Sequence, residues 1–154
     1  MRGVSISILI PAFNEEDNLE HTLNTVIAKL DRLNCKWEII VVNDGSRDRT
    51  GIILNDFASK NKNIIAIHHK DNKGYGAALI SGFYSASKEL VLLFPADMQF
   101  DINQIDLFLD EIDIADVVAG YRAKRYDPLH RLLYALLYNW MIRLIFGLRF
   151  KDID

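Results

Sequence analysis

Residues 37–48 read Trp-Glu-Ile-Ile-Val-Val-Asn-Asp-Gly-Ser-Arg-Asp. Trp37–Val42 is a short β-branched apolar run, and Asn43-Asp44-Gly45-Ser46 stops it with turn-forming residues. A strand this apolar has both faces covered, which is the habit of parallel sheets. The same unit recurs on either side. Upstream, Val4–Ile10 is another such run, ended by Pro11. Leu19, Leu23, Val26, Ile27, Leu30 and Leu33 then follow at helical spacing. Downstream, Thr50–Lys60 reads as a helix, Asn63–His68 as a third strand and Gly76–Lys88 as a small-residue helix. Leu90–Phe94 reads as a fourth strand, Ile102–Ile112 as a helix and Ala115–Gly120 as a fifth strand. Strands alternating with helices predict an α/β fold, a mostly parallel sheet with helices on both faces. In such sheets the ligand sits at the carboxyl ends of the strands. The loops after strands one to four are therefore where chemistry is expected.

A length of 154 residues suits one domain with a real core. The net charge of −3 argues against a nucleic-acid binder. That average hides a split. Residues 1–119 carry 11 Lys/Arg against 18 Asp/Glu, net −7, and residues 120–154 carry 7 against 3, net +4. Cys35 is the single cysteine, which excludes an internal disulfide. The expected compartment is the cytoplasm, and Met1-Arg2-Gly3 runs into the first strand without the pattern of a signal peptide.

Each loop admits two readings. Pro11-Ala12-Phe13-Asn14-Glu15-Glu16 directs polar groups at a ligand, or is a proline turn with a helix cap. Asp44 accepts hydrogen bonds from a base or ribose, or belongs to an Asp-Gly turn. Lys70-Asp71-Asn72-Lys73-Gly74-Tyr75-Gly76 sets two glycines and two lysines before a helix N-terminus, a place that favours anions. A dinucleotide fingerprint would put its third glycine at position 79, which is Leu79, so a dinucleotide oxidoreductase is disfavoured. Asp97 and Gln99 are oxygen ligands two residues apart at a strand end. A Mg²⁺ or Mn²⁺ ion on a diphosphate needs only one or two such protein oxygens. Otherwise Asp97 is a loop residue, and Asp101 caps the next helix.

In order and spacing these loops resemble the family 2 glycosyltransferases of the Rossmann-like GT-A fold. The branch they resemble most is that of dolichol-phosphate mannose synthase and the polyprenyl-phosphate sugar transferases. The matching stretches are Ile8–Glu16, Val41–Ser46, Asn72–Leu79 through Gly82, Ala96–Gln99, and Gly120-Tyr121-Arg122 with Arg125, Arg131 and Asn139. The resemblance implies metal-assisted, inverting transfer of a sugar from a GDP- or UDP-sugar to a polyprenyl phosphate. It implies a donor pocket lined by Pro11, Phe13, Glu15, Asp44, Asn72 and Lys73. Asp97 and Gln99 would hold Mg²⁺ or Mn²⁺, with Asp97 also counted as catalytic. Arg122, Arg125 and Arg131 would grip the acceptor phosphate, Arg122 and Arg131 as catalytic residues. The family's metal motif is Asp-x-Asp, and its first position here is Pro95, which has no ligand oxygen. Two alternatives therefore stand beside that reading. One is a transferase to a sugar or polysaccharide hydroxyl, and the other is a catalytically impaired nucleotide-binding or assembly module.

The expected division is a nucleotide-sugar-binding core over 1–121 and a basic, amphipathic acceptor-side or membrane-interface segment over 122–154. Leu132–Leu148 is 17 residues long and contains Asn139 and Arg143. That falls short of the ~20 apolar residues a membrane span requires. Its Trp, Tyr and Arg content suits a membrane–water interface, with the enzyme peripheral at the inner face of the membrane. A homo-oligomer interface through the 129–148 helix is the other reading of the same greasy surface.

Overall fold

The computed structural model describes residues 4–33, 35–97 and 99–120, together with 137, 138, 140, 141, 144 and 145. The last six are helical and exposed, and the rest of the expected 129–148 helix lies outside the described residues. The chain divides into two compact units, Met1–Gln104 and Ile105–Asp154.

In the first unit, β1 (Ser5–Ala12), β2 (Lys36–Asn43), β3 (Ile64–His68) and β4 (Leu90–Leu93) form one sheet in the order β3-β2-β1-β4. Every neighbouring pair is parallel, as the apolar runs predict. Helices α1 (Leu19–Arg32), α2 (Thr50–Lys60) and α3 (Tyr75–Ser85) make the crossovers. The strand order turns back between β1 and β4, and that switch point is where open α/β sheets bind ligands.

Period-two alternation sorts the side chains between two cores. Leu9, Ile40, Val42, Ile65 and Ile67 meet α3 through Ala78 and Leu79. Gly82 is the point of closest approach. A Cβ there would collide with the Leu9 side chain, so only glycine lets α3 lie this near the sheet. Ile8, Ile10, Ile39 and Val41 point to the opposite face and are fully buried. α2 covers that side, with Gly51 set against Asn43 and His68.

Strand β2 and the residue that follows it carry two buried acids on the α3 face, and they hold the two ends of α3. At the amino end of the strand, Glu38 accepts Ser7 Oγ at 2.6 Å, Ser87 N at 2.7 Å, Ser87 Oγ at 2.7 Å and Lys88 Nζ at 3.0 Å. Burial alone would raise its pKa. The four donors overcome that and bring it down to about 2. Past the other end of the strand, Asp44 receives the N–H groups of Lys73 and Gly74, the two residues that lead into α3.

Three expectations change. Strand β1 runs through Pro11 to Ala12 instead of ending before it. Leu9 O is bonded on the β4 side by Phe94 N, and Ala12 O on the β2 side by Asp44 N. Backbone groups alternate in direction along a strand, so Pro11 presents its missing N–H to the β4 side. The ladder there has already ended at Leu9↔Leu93. The helix expected over Ile102–Ile112 is broken. A 3-10 turn spans Ile102–Gln104, α4 spans only Ile105–Leu109, and turns follow. The stretch 115–120 is not a strand. A strand needs a hydrogen-bonding neighbour, the described sheet has none for it, and Val117 is 83% exposed.

Candidate functional site

The loops after β1, β2 and β3 are joined by backbone-to-side-chain hydrogen bonds, and α1 holds the loop after β4. Asn14 adopts φ 56°, a left-handed conformation that Asn tolerates. Its N–H donates to Ser46 Oγ at 2.9 Å, and its Oδ1 accepts Arg47 N at 3.0 Å. Glu15 N donates to Thr50 Oγ1 at 2.8 Å, and Glu16 N to Asp48 Oδ2 at 3.1 Å. Asp48 also receives Thr50 N at 3.0 Å, opening α2. Burial would raise the Asp48 carboxyl, but these donors hold it below the usual carboxylate range. Gly45, at φ 71°, lies directly against the backbone of Asp71 and Asn72, which brings the third loop onto the second. Thr22 Oγ1 donates to Ala96 O at 3.1 Å, fixing the fourth loop to α1.

Asp44 sits where these loops converge and is only 3% exposed. Its Oδ1 accepts Lys73 N at 3.0 Å and its Oδ2 accepts Gly74 N at 2.8 Å. His69 Nδ1 lies 2.5 Å from Oδ1. Burial acts to raise the carboxyl's pKa. The Lys73 N–H, the His69 ring and the Gly74 N–H outweigh it and leave the group depressed, hence ionised near neutrality. An ionised carboxylate offers about four lone-pair positions, and the protein fills three. The helix start it faces is the electropositive end of α3.

The neighbouring histidines divide between the two faces of the sheet. His68 turns to α2: Asn43 Nδ2 donates to its Nδ1 at 3.1 Å, and its Nε2 donates to Asn55 Oδ1 at 2.9 Å. Asn43 Oδ1 meanwhile accepts Ser46 N at 3.0 Å, which shapes the Asp-Gly turn. His69 turns to α3, between Asp44 and Ser81.

Of the residues expected to line a donor pocket, Pro11 is half-buried at the end of β1 and Phe13 is 44% exposed beyond it. Glu15 accepts Asn18 Nδ2 at 2.9 Å, and its carbonyl accepts Asn18 N and Leu19 N, so it also starts α1. Asn72 and Lys73 are exposed on the third loop, with Asn72 Oδ1 accepting Gly74 N at 3.0 Å. Asp97 is exposed, and its Oδ1 accepts Gln99 N at 3.1 Å, which curls the fourth loop. Asp101 caps the following turn through Asn103 N at 2.9 Å, as expected. Arg122, Arg125 and Arg131 lie outside the described residues.

Sequence reading passed over Tyr75, Ser46, Asp48, Thr50 and Ser81. Tyr75, half-exposed at the start of α3, has its phenol pKa raised by burial and further by the negative charge of Asp97. Asp48-Arg49-Thr50 could have been read as a helix start, since Asp two residues before a helical run is a capping pattern. No local pattern signals Ser81, because its partner comes from another element. Among the described residues no group of three or more His, Cys, Asp or Glu could hold a metal ion. The donor set Asp97–Gln99 instead offers hard oxygens of the kind a Mg²⁺ or Mn²⁺ ion takes when phosphate oxygens and water complete its shell.

Residues 7–152 match the family model described as "Glycosyl transferase family 2". The chain is 35% identical over 150 residues to an undecaprenyl-phosphate 4-deoxy-4-formamido-L-arabinose transferase of Pectobacterium atrosepticum, covering 96% of this chain and 46% of that protein. It is 38% identical over 114 residues to a dolichyl-phosphate beta-glucosyltransferase of Trichomonas vaginalis, covering 71% of this chain and 35% of that protein. The chain thus spans about half the length, or less, of these curated relatives. Among solved structures it is similar in fold to glucosyl-3-phosphoglycerate synthase from Mycobacterium tuberculosis, crystallised with Mn²⁺, UDP-glucose and phosphoglyceric acid. The TM-score is 0.68 at 20% identity, over 94% of this chain and 51% of that one.

Proposed function

The chain belongs to glycosyl transferase family 2, and from that premise we propose that it moves a sugar from a GDP- or UDP-sugar to a polyprenyl phosphate, with inversion at the anomeric carbon. One observation carries this reading. The loops after β1, β2 and β3 are bonded together at the carboxyl end of one parallel sheet, with an ionised Asp44 beneath the start of α3, and the fourth loop, which carries Asp97, leaves the same end. The acceptor class is supported by the two relatives, whose names specify undecaprenyl phosphate and dolichyl phosphate.

In this reading the β1 loop and Asp44 take the nucleoside, and Asn72 and Lys73 flank the diphosphate near the electropositive helix start. Asp97 and Gln99 hold Mg²⁺ or Mn²⁺. When bound, that ion supplies positive charge against the negative charge growing on the departing diphosphate. Mn²⁺ accompanies UDP-glucose in the structurally similar synthase. A phosphate monoester acceptor has a second pKa of ~6 and arrives largely ionised. It therefore needs orientation more than a strong base. Arg122, Arg125 and Arg131 are the proposed phosphate grip, since guanidinium forks match phosphate oxygens. The net charge of +4 over residues 120–154 suits a membrane surface carrying that acceptor at its inner, cytoplasmic face. Among the described residues no helix is long and apolar enough to cross a membrane.

The test is incubation of the chain with labelled UDP- and GDP-sugars and undecaprenyl or dolichyl phosphate in vesicles, with and without Mn²⁺. The expected result is a lipid-linked sugar that requires the metal. Absence of any nucleoside diphosphate binding at millimolar concentration would sink the transferase reading. Nucleotide binding without transfer would favour the second reading, a non-catalytic binding module, for which Pro95 in the metal motif is the specific argument.

A further inference from the structure

We propose that His69 and Ser81 form a positioning relay that locks the Asp44 carboxylate, and with it the Lys73–Gly74 turn, in the geometry that receives the donor nucleotide. The inference rests on the nucleotide-sugar reading above. It gives roles to His69 and Ser81, neither of which is among the expected site residues.

The geometry is a chain of three groups from three elements. Asp44 follows β2, His69 follows β3, and Ser81 lies on α3. His69 N donates to Asn43 O at 2.9 Å, which extends the β2–β3 ladder by one bond and fixes the imidazole's origin. The ring then bridges Asp44 Oδ1, 2.5 Å from Nδ1, and Ser81 Oγ, 2.8 Å from Nε2. The side chains of His69 and Asp44 are only 7% and 4% exposed, so water does not compete for these bonds.

The partners assign the protons. Asp44 is an ionised acceptor, so Nδ1 carries the hydrogen that faces it. Nε2 on the other side of the ring is hydrogen-bonded with the Ser81 hydroxyl, which can donate or accept. Asp44 thus sets the tautomer and Ser81 helps to fix the ring plane, because a rotated ring would lose both bonds at once. The constraint passes to Asp44. Among the described residues Oδ1 is held by His69 and Lys73 N and Oδ2 by Gly74 N, and the open acceptor position is thereby on Oδ2. Without His69 the carboxylate keeps two backbone donors and gains freedom to rotate about its χ angles. The position offered to a ligand, and the turn that begins α3, would both blur.

Two isosteric substitutions separate the two halves of the relay. In His69→Asn the amide nitrogen falls near the place of Nδ1 and keeps the Asp44 bond. In His69→Gln the amide falls near the place of Nε2 and keeps only the Ser81 bond. The probes are UDP and GDP, followed by calorimetry, and donor KM against kcat. His69→Ala and His69→Gln are expected to weaken nucleotide binding about tenfold, as the loss of one charge-assisted hydrogen bond does. Their KM should rise while kcat is kept. His69→Asn should stay within about threefold of the parent, and Ser81→Ala should fall between. Equal behaviour of the Asn and Gln variants, or parent-like binding by His69→Ala, would overturn the relay while leaving the transferase reading intact. No nucleotide binding by the parent chain would overturn that reading and the relay with it. Titration of the ¹⁵N-labelled parent with UDP or GDP keeps the idea testable should a variant fail to fold. The His69 ring nitrogens should shift on nucleotide addition, and unmoved resonances would refute the relay.

Discussion

Two carboxylates six residues apart, Glu38 and Asp44, project from β2 and its continuation on the α3 side of the sheet, and they serve different ends. Glu38, at the amino end, has four donors, one of them the Lys88 cation 3.0 Å away. Asp44, at the carboxyl end, is met by two backbone N–H groups and a histidine, leaving one acceptor position open. Glu38 has its hydrogen bonding completed within the protein, so it fastens the end of α3. Asp44 fastens the start of α3 and retains capacity for a ligand. Parallel sheets produce this asymmetry generally. Their carboxyl ends gather loops that lead into helix N-termini, with unpaired N–H groups, while their amino ends gather helix C-termini, where a lysine is favourable.

The contrast is open to attack from both ends. The largest effect is expected for Asp97→Ala. Transfer should drop by about two to three orders of magnitude, as when preorganised charge stabilisation is removed, and nucleotide binding should lose its Mn²⁺ dependence. Asp97 is exposed, so the melting temperature should hold. Unchanged Mn²⁺ dependence in a transfer assay would show the metal lies elsewhere. At the other end, Glu38→Ala strands Lys88 and two serines. It should cost about 3 kcal/mol in denaturant unfolding, the order for breaking a buried pair, with UDP and GDP affinity unchanged. A loss of nucleotide affinity equal to the loss of stability would erase the distinction between the two ends.

A pH series sharpens the same point. The Glu38 pKa is lowered from 4.5 to about 2 on folding. Its contribution is therefore present above about pH 4.5 and lost as the pH falls towards 2, roughly 3 kcal/mol in all by linkage. Unfolding followed across that window should show the loss in the parent and not in Glu38→Gln. The middle of α3 gives a smaller effect. Gly82→Ala pushes a methyl into Leu9 and should cost about 1–3 kcal/mol, the overpacking range. The smallest is Ser46→Ala, which leaves Asn14 N without its 2.9 Å acceptor at an exposed site. It should change stability by about 1 kcal/mol or less, read as a small shift in the urea midpoint.

Most of the first unit was legible in the chain. The apolar runs at Val4–Ile10, Trp37–Val42, Asn63–His68 and Leu90–Phe94 are strands to within two residues, since a buried parallel strand must be apolar on both faces. The run Ala-Asp-Val-Val-Ala-Gly at 115–120 looked similar and is not a strand. Six residues of β-favouring sequence supply no partner by themselves, and a strand exists only in a ladder. Ile102–Ile112 likewise kept its helical spacing but not its helix beyond Leu109. A single turn has little stability of its own against the cost of helix nucleation. In the site, Asp44, Asp97 and the Gly74 turn announced themselves because turn chemistry is local. His69 was legible only as a strand-end residue, structural or nucleotide-adjacent, and Ser81 did not stand out, because neither has a periodic relation to an aspartate after another strand.

The sequence by itself determined the alternation of strand and helix, the parallel sheet and the loops that would meet at one edge. Those follow from burial periodicity and turn residues, which act over a few neighbours. Only the tertiary structure decided what each buried polar group does. It spent Glu38 on the end of α3, left Asp44 one open position, and turned His68 and His69 to opposite faces. Hydrogen bonds between distant elements depend on register and distance, and these are set when the sheet and its helices pack.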